Sequence, residues 1–123
     1  MQEMNKYLGK TIANIALVDY SFETNRLLIE FQGMDNKVYI QDEGRSCCED
    51  RYMSCDDDLS YLIGSVLQSV QVKDMGEKNN DEPYDVHEEA CIEIQTAKGF
   101  VTIMSHNIHN GYYGGFIIRV SEG

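Results

Sequence analysis

The chain has 123 residues, with 10 Lys and Arg against 21 Asp and Glu and a formal charge of −11. That length suits one domain spanning residues 1–123, with a real core and little room for a second. The acidic balance argues against a nucleic-acid partner, because phosphate-backbone binding needs a basic patch; it allows plain solubility, a nucleic-acid mimic, or a small anion enclosed by a few local arginines.

The opening stretch, Met1 to Tyr7, lacks the apolar centre of a signal peptide, and no run of ~18 apolar residues follows it. The expectation is a cytoplasmic protein with no membrane partner. Residues 11–19 read as a first strand, 26–31 as a second and 37–41 as a third, with Gly33, Met34, Asp35 and Asn36 turning between the last two. An antiparallel meander of this kind needs something apolar laid on one face.

The covering element is expected to be helical and to lie within residues 47–64. Asp56, Asp57 and Asp58 stand where a helix N-terminus favours acids, Leu59, Leu62 and Ile63 share one face, and Gly64 sits at the C-cap. Residues 47–53 are expected to add another helical turn. The spacing then predicts a strand through Val66, Val70 and Val72, and an exposed connection over 75–87 around Gly76 and the sole proline, Pro83. At this length such a connection is expected to be mobile, functional or ordered by a partner.

Residues 88–96 alternate Ala90, Ile92 and Ile94 against Cys91, Glu93 and Gln95, an amphipathic strand that turns at 97–99 into a strand over 100–104. A polar, glycine-bearing loop over 105–116 and a last strand at 116–120 complete a three-stranded meander. The predicted fold class is therefore α+β: a single domain with one mainly antiparallel, curved sheet and one helical segment packed across it.

The loop from Ser105 to Phe116 carries the densest chemistry. Gly111, Gly114 and Gly115 allow positive φ or close approach to a ligand; Asn107, Asn110, His106 and His109 offer hydrogen bonds; Tyr112, Tyr113 and Phe116 offer flat faces for a base. A long hairpin with an Asn-Gly turn and core-facing tyrosines explains the same residues. Should an anion bind, some of the four arginines, Arg26, Arg45, Arg51 and Arg119, are expected to converge.

Cys47, Cys48, Cys55 and Cys91 are expected to be free thiols in a reducing compartment. A zinc site from Cys47, Cys48, Cys55 and His87 lacks the usual Cys-x2-Cys spacing, so no metal is expected. The acidic triplet reads as capping and solvation rather than a cation site.

Two segments carry a resemblance: residues 43–53 with Asp56, Asp57, Asp58 and Leu59, and residues 105–107 with 109–116. Over roughly residues 38–120 the chain resembles the first-type Thoeris anti-defence sponges of phages. The resemblance implies a non-catalytic, cofactor-free protein acting in the cytoplasm of the infected bacterial host. Such a protein binds glycocyclic ADP-ribose, a TIR-derived small-molecule signal, and withholds it from the defence effector. It also implies a homodimer or higher homo-oligomer with ligand at the subunit interface, and, in some members, uptake of CBASS cyclic oligonucleotides. The residues implied are Phe100, stacking on adenine, and Asn110, bonding the base or its ribose, with Asn107, Tyr113, Arg45 and Arg119 alongside.

Two rival classes fit parts of the sequence. A hydrolase or phosphodiesterase would use His106 or His109 as acid or base and the acidic cluster as a metal site, although His-x-x-His has no neighbouring carboxylate in sequence to orient it. An acidic mimic would present Asp56, Asp57 and Asp58 together with 81–93 to a host protein.

Overall fold

A computed structural model describes residues 1–20, 24–44, 49–78, 86–109 and 114–123. Its strands are β1 (Ile12–Asp19), β2 (Asn25–Phe31), β3 (Val38–Asp42), β4 (Asp50–Ser54), β5 (Leu67–Lys78), β6 (Val86–Thr96), β7 (Gly99–His109) and β8 (Ile118–Glu122). Two 3-10 turns, η1 (Gln2–Tyr7) and η2 (Leu59–Leu62), are the helical elements among the described residues. The strands form two four-stranded antiparallel sheets, ordered β1-β2-β3-β8 and β4-β7-β6-β5.

Period-two patterning explains the arrangement. Ile15 pairs with Ile29, and Leu27 with both Leu17 and Ile40, so one face of the first sheet is apolar. Ile92 pairs with Ile103, and Ile94 with Val101 and Val70, so the second sheet has a matching face. Both sets join a single buried cluster. The two faces cover each other and leave water together. A register break between Ile12 and Asn14 lets Ile12 and Ile15 share the core face, where strict alternation would expose one of them. η1 adds Met4 and Tyr7 to this core, with the Tyr7 ring stacked on Phe31 at 5.3 Å.

The mainly antiparallel, single-domain expectation holds, but the helix across the sheet is corrected. Within 47–64, the described part begins as β4, where Arg51 and Met53 are buried while Tyr52 and Ser54 are half-exposed. After an irregular stretch over 55–58, the helical part is the one short 3-10 turn η2. Asp58 caps η2 by accepting from the Ser60 N–H at 3.0 Å, and Gly64 closes the segment at φ 84°. Leu62 is buried but Ile63 is 38% exposed, so no helical stripe forms. A second sheet already occupies the face that the helix was expected to cover.

Three boundaries also move. β5 continues to Lys78 and β6 begins at Val86, so strand replaces both flanks of the connection expected over 75–87; residues 79–85 lie outside the described residues. A bulge between Asp74 and Gly76, with Gly76 at φ 78°, shifts the alternation and hid the strand. β7 runs on to His109, through the first half of the expected loop. Finally β8 pairs with β3 rather than β7, where Val120 lies opposite Ile40, so the second half is not a simple meander.

Candidate functional site: a polar end to the sandwich

Along β7 the core face changes character. Val101 and Ile103 are apolar, and Ser105, Asn107 and His109 continue the same parity as buried polar residues. Asn107 is paired with Arg51 of β4 on one side and Glu88 of β6 on the other. This gives an inward-facing row, Arg51–Asn107–Glu88, at the end of the sandwich where both resemblance segments leave it.

Arg51 is the centre of a latch. Its Nη1 donates to Asp42 Oδ2 at 2.7 Å and to the Gly115 carbonyl at 2.9 Å, and its Nη2 donates to Glu49. Asp42 Oδ1 accepts from the Gly44 N–H and the Ile117 N–H, each at 3.0 Å. One guanidinium therefore binds the strand end before residues 45–48 to the strand entry after residues 110–113. Once formed, such a latch is costly to break, because removing one partner leaves a buried charge uncompensated.

Glu88 holds the other side. Its Oε1 lies 2.5 Å from His109 Nε2, and its Oε2 accepts from the Gly115 N–H at 3.2 Å. At two positions a side chain would press on the latch itself: a Cβ at Gly44 would stand 2.6 Å from Arg51 Nη1, and one at Gly114 would stand 2.7 Å from Glu88 Oε1, so the charged group would have to move aside. Beneath this frame Asn107 is 0% exposed, and neither atom of its amide has a partner among the described residues. A buried amide in that state is costly, and a ligand or another chain segment supplying a donor and an acceptor would relieve it.

Of the residues implied by the resemblance, Asn107 is the one the described structure brings to this end. Arg45, Asn110 and Tyr113 lie outside the described residues, although Gly44, His109 and Gly114, their neighbours, meet at the latch. Phe100 is 63% exposed at the far end of β7, on the opposite parity and about 24 Å away at ~3.4 Å per residue. Arg119 pairs with Gln41 on the outer face of the first sheet, with its Nη1 3.6 Å from Glu3. The described arginines are engaged separately: Arg26 stacks between Tyr20 at 4.2 Å and Tyr39 at 3.6 Å, and Arg51 is committed to the latch.

The outer face of the second sheet carries another cluster. Glu89 and His106 are a cross-strand pair, and His87 Nε2 lies 2.9 Å from His106 Nδ1. Tyr52 stacks on His106 with centroids 4.5 Å apart, and Ser54 Oγ lies 2.7 Å from His106 Nε2. One donor atom each from His87, Glu89 and His106 falls within 4.8 Å of the others, the donor set among the described residues with metal-ligand spacing. Two of the acidic triplet are otherwise occupied, since Asp58 caps η2 and Asp57 accepts from the Thr102 N–H. Burial pushes the Cys55 and Cys91 thiols up from their ordinary value, which lowers their thiolate content.

Glu88, the His87–His106 contact and the buried latch role of Arg51, named in sequence only as one of four possible anion-binding arginines, were missed. The available signal was parity: Glu88 shares the core side with Ala90, Ile92 and Ile94, and Arg51 shares it with Met53. A charged residue at core parity demands a buried partner. The expected lack of an orienting carboxylate for the histidines is corrected, because pairing of β6 with β7 supplies Glu88 to His109.

The molecule is thus a two-sheet antiparallel β protein with a charged latch closing one end. It belongs to the family described as domain of unknown function DUF7448, whose profile matches residues 5–118. No curated protein and no solved structure matches the chain. No described helix is long and apolar enough to cross a membrane.

Proposed function

We propose that this protein binds glycocyclic ADP-ribose, or a close cyclic ADP-ribose isomer, without cleaving it, and so withholds the signal from a Thoeris effector during phage infection. The observation that carries this reading is the latch: the two segments of the resemblance leave the sandwich side by side, tied by Arg51, Asp42 and Glu88 above an Asn107 amide that has no partner among the described residues. A sequestering protein needs pre-organised groups rather than an activated nucleophile, and a latch fixes loop ends before ligand arrives.

The separation of Phe100 from Asn107 adds a requirement. One small ligand does not span about 24 Å within a subunit, so a homodimer or larger homo-oligomer is part of the proposal, with Phe100 of one copy completing the site of another. Phosphate neutralisation falls to Arg45 or Arg119, because Arg51 already faces two carboxylates.

Calorimetric titration with glycocyclic ADP-ribose, followed by heat denaturation and chromatography of the released molecule, tests this. Tight binding with intact recovery supports sequestration. An altered product supports instead a hydrolase, for which the Glu88–His109 pair at 2.5 Å is the specific observation. No binding by a folded sample removes both.

A further inference from the structure

We propose that His87, Glu89 and His106 form a binding site for a divalent transition metal of the zinc class, on the outer face of the second sheet and separate from the latch. Strand pairing creates the site. Glu89 of β6 lies directly opposite His106 of β7, and His87, paired with Ile108, comes from the next position on the same face. The side chains therefore converge from two strands through a register that the core pairs Ile92–Ile103 and Ile94–Val101 hold in place.

The donor geometry is close to that of coordination. His87 Nε2 and His106 Nδ1 lie 2.9 Å apart. Two imidazole nitrogens bound tetrahedrally at ~2.0–2.1 Å stand about 3.3 Å apart, so a small rotation of the half-buried His87 ring admits an ion. His106 and Glu89 are both buried, on a sheet face where water is otherwise within reach. An imidazole–imidazole–carboxylate set with two of its three donors buried suits a cation of borderline softness, and its nitrogen donors disfavour magnesium and calcium.

The surroundings orient His106. Tyr52 stacks against its ring at an interplanar angle of 17°, fixing the plane, and Ser54 Oγ stands 2.7 Å from Nε2. With that hydroxyl accepting the Nε2 proton, the Nδ1 lone pair points toward His87 and the ion, the outer hydrogen bond that metal-binding histidines use. Three protein donors leave one tetrahedral position for water or a further donor. Ser54 and Tyr52 act here as positioning residues.

The test uses the full chain, freed of metal with chelator and titrated with zinc chloride and, in parallel, cobalt chloride. The expected result is one equivalent bound, a visible tetrahedral cobalt spectrum without the intense near-ultraviolet thiolate band, and a rise in Tm with zinc. His87→Ala lowers affinity at least ~100-fold with an unchanged far-ultraviolet circular dichroism spectrum, and Ser54→Ala lowers it ~10-fold. Should His87→Ala fail to fold, nitrogen NMR of the wild-type histidine rings decides, because zinc must shift the His87 and His106 signals and spare His109. Unchanged affinity in folded His87→Ala, a thiolate cobalt spectrum, or unmoved histidine signals at saturating zinc overturns the proposal.

Discussion

The side-chain amide of Asn25 completes a two-way hydrogen bond with the backbone of Met53: its Nδ2 donates to the Met53 carbonyl at 2.9 Å, and its Oδ1 accepts the Met53 N–H at 2.6 Å. Asn25 begins β2 in one sheet and Met53 lies in β4, an outer strand of the other. The amide therefore does for the open edge of β4 what a neighbouring strand would do. Asn25→Ala leaves both backbone groups unsatisfied and should cost about 1–3 kcal/mol, seen as a lower midpoint in urea denaturation. Asn25→Asp, which keeps the acceptor but loses the donor, should also destabilise. A midpoint equal to wild type in both variants contradicts the role given to this amide.

Arg51→Ala should be among the most damaging changes. It removes the guanidinium paired with the buried Asp42 carboxylate, and removal of one partner from a buried ion pair costs about 3–5 kcal/mol. Arg51→Lys should recover little, since a single ammonium does not reach Asp42, Glu49 and the Gly115 carbonyl together. Thermal melts of both variants check this. By contrast Arg119→Ala, which removes only an exposed contact with Glu3, should stay within about 0.5 kcal/mol of wild type.

Gly114→Ala places a methyl group 2.7 Å from Glu88 Oε1, and the carboxylate is held there by His109 and the Gly115 N–H. The carboxylate must move off these partners while the core is untouched. Uptake of glycocyclic ADP-ribose should fall at least tenfold, about 1.4 kcal/mol, with the circular dichroism spectrum unchanged. Wild-type affinity in the calorimeter would separate the latch from ligand binding.

Phe100→Ala combined with Asn110→Ala should abolish that uptake while the protein stays folded. Phe100 is solvent-exposed in the isolated chain, so its loss leaves no cavity. Mixing the two single variants provides the sharper measurement. If each subunit contributes one half of a shared site, a mixed oligomer regains a fraction of the binding capacity that neither variant has alone.

The Tyr7 hydroxyl donates to Glu122 and joins η1 to the end of β8. Burial, then the bond to Glu122, holds the phenol well above its ordinary value of 10.0, and the same bond holds the Glu122 carboxyl below its ordinary 4.5. Above pH ~10 the unfolded chain loses the phenol proton that the fold retains, so stability declines as pH rises. Below pH ~4.5 the unfolded chain binds a proton that folded Glu122 resists, so this contribution is lost as pH falls. Tyr7→Phe should flatten both limbs of the urea midpoint against pH; limbs identical to wild type would show that other groups set them.

Sequence periodicity determined the central parts of the strands, because alternation of Ile, Leu and Val with polar residues suits only a pleated chain with one dry face. It also marked 43–53 and 105–116 as chemically distinct. Pairing partners were not legible, since Leu59, Leu62 and Ile63 suit a helix as well as a capped turn, and nothing local reveals that a second sheet already fills the covering role. The polar end was hidden for the same reason. Asn107, Glu88 and Arg51 break the apolar pattern at core parity, and only the register of β4, β7 and β6 turns three separate breaks into one row, with His109 beside it on Glu88. Local chemistry sets which face each side chain takes; which faces meet is decided by pairing between residues distant in the chain, where the cost of burying a charge selects the register that pairs it.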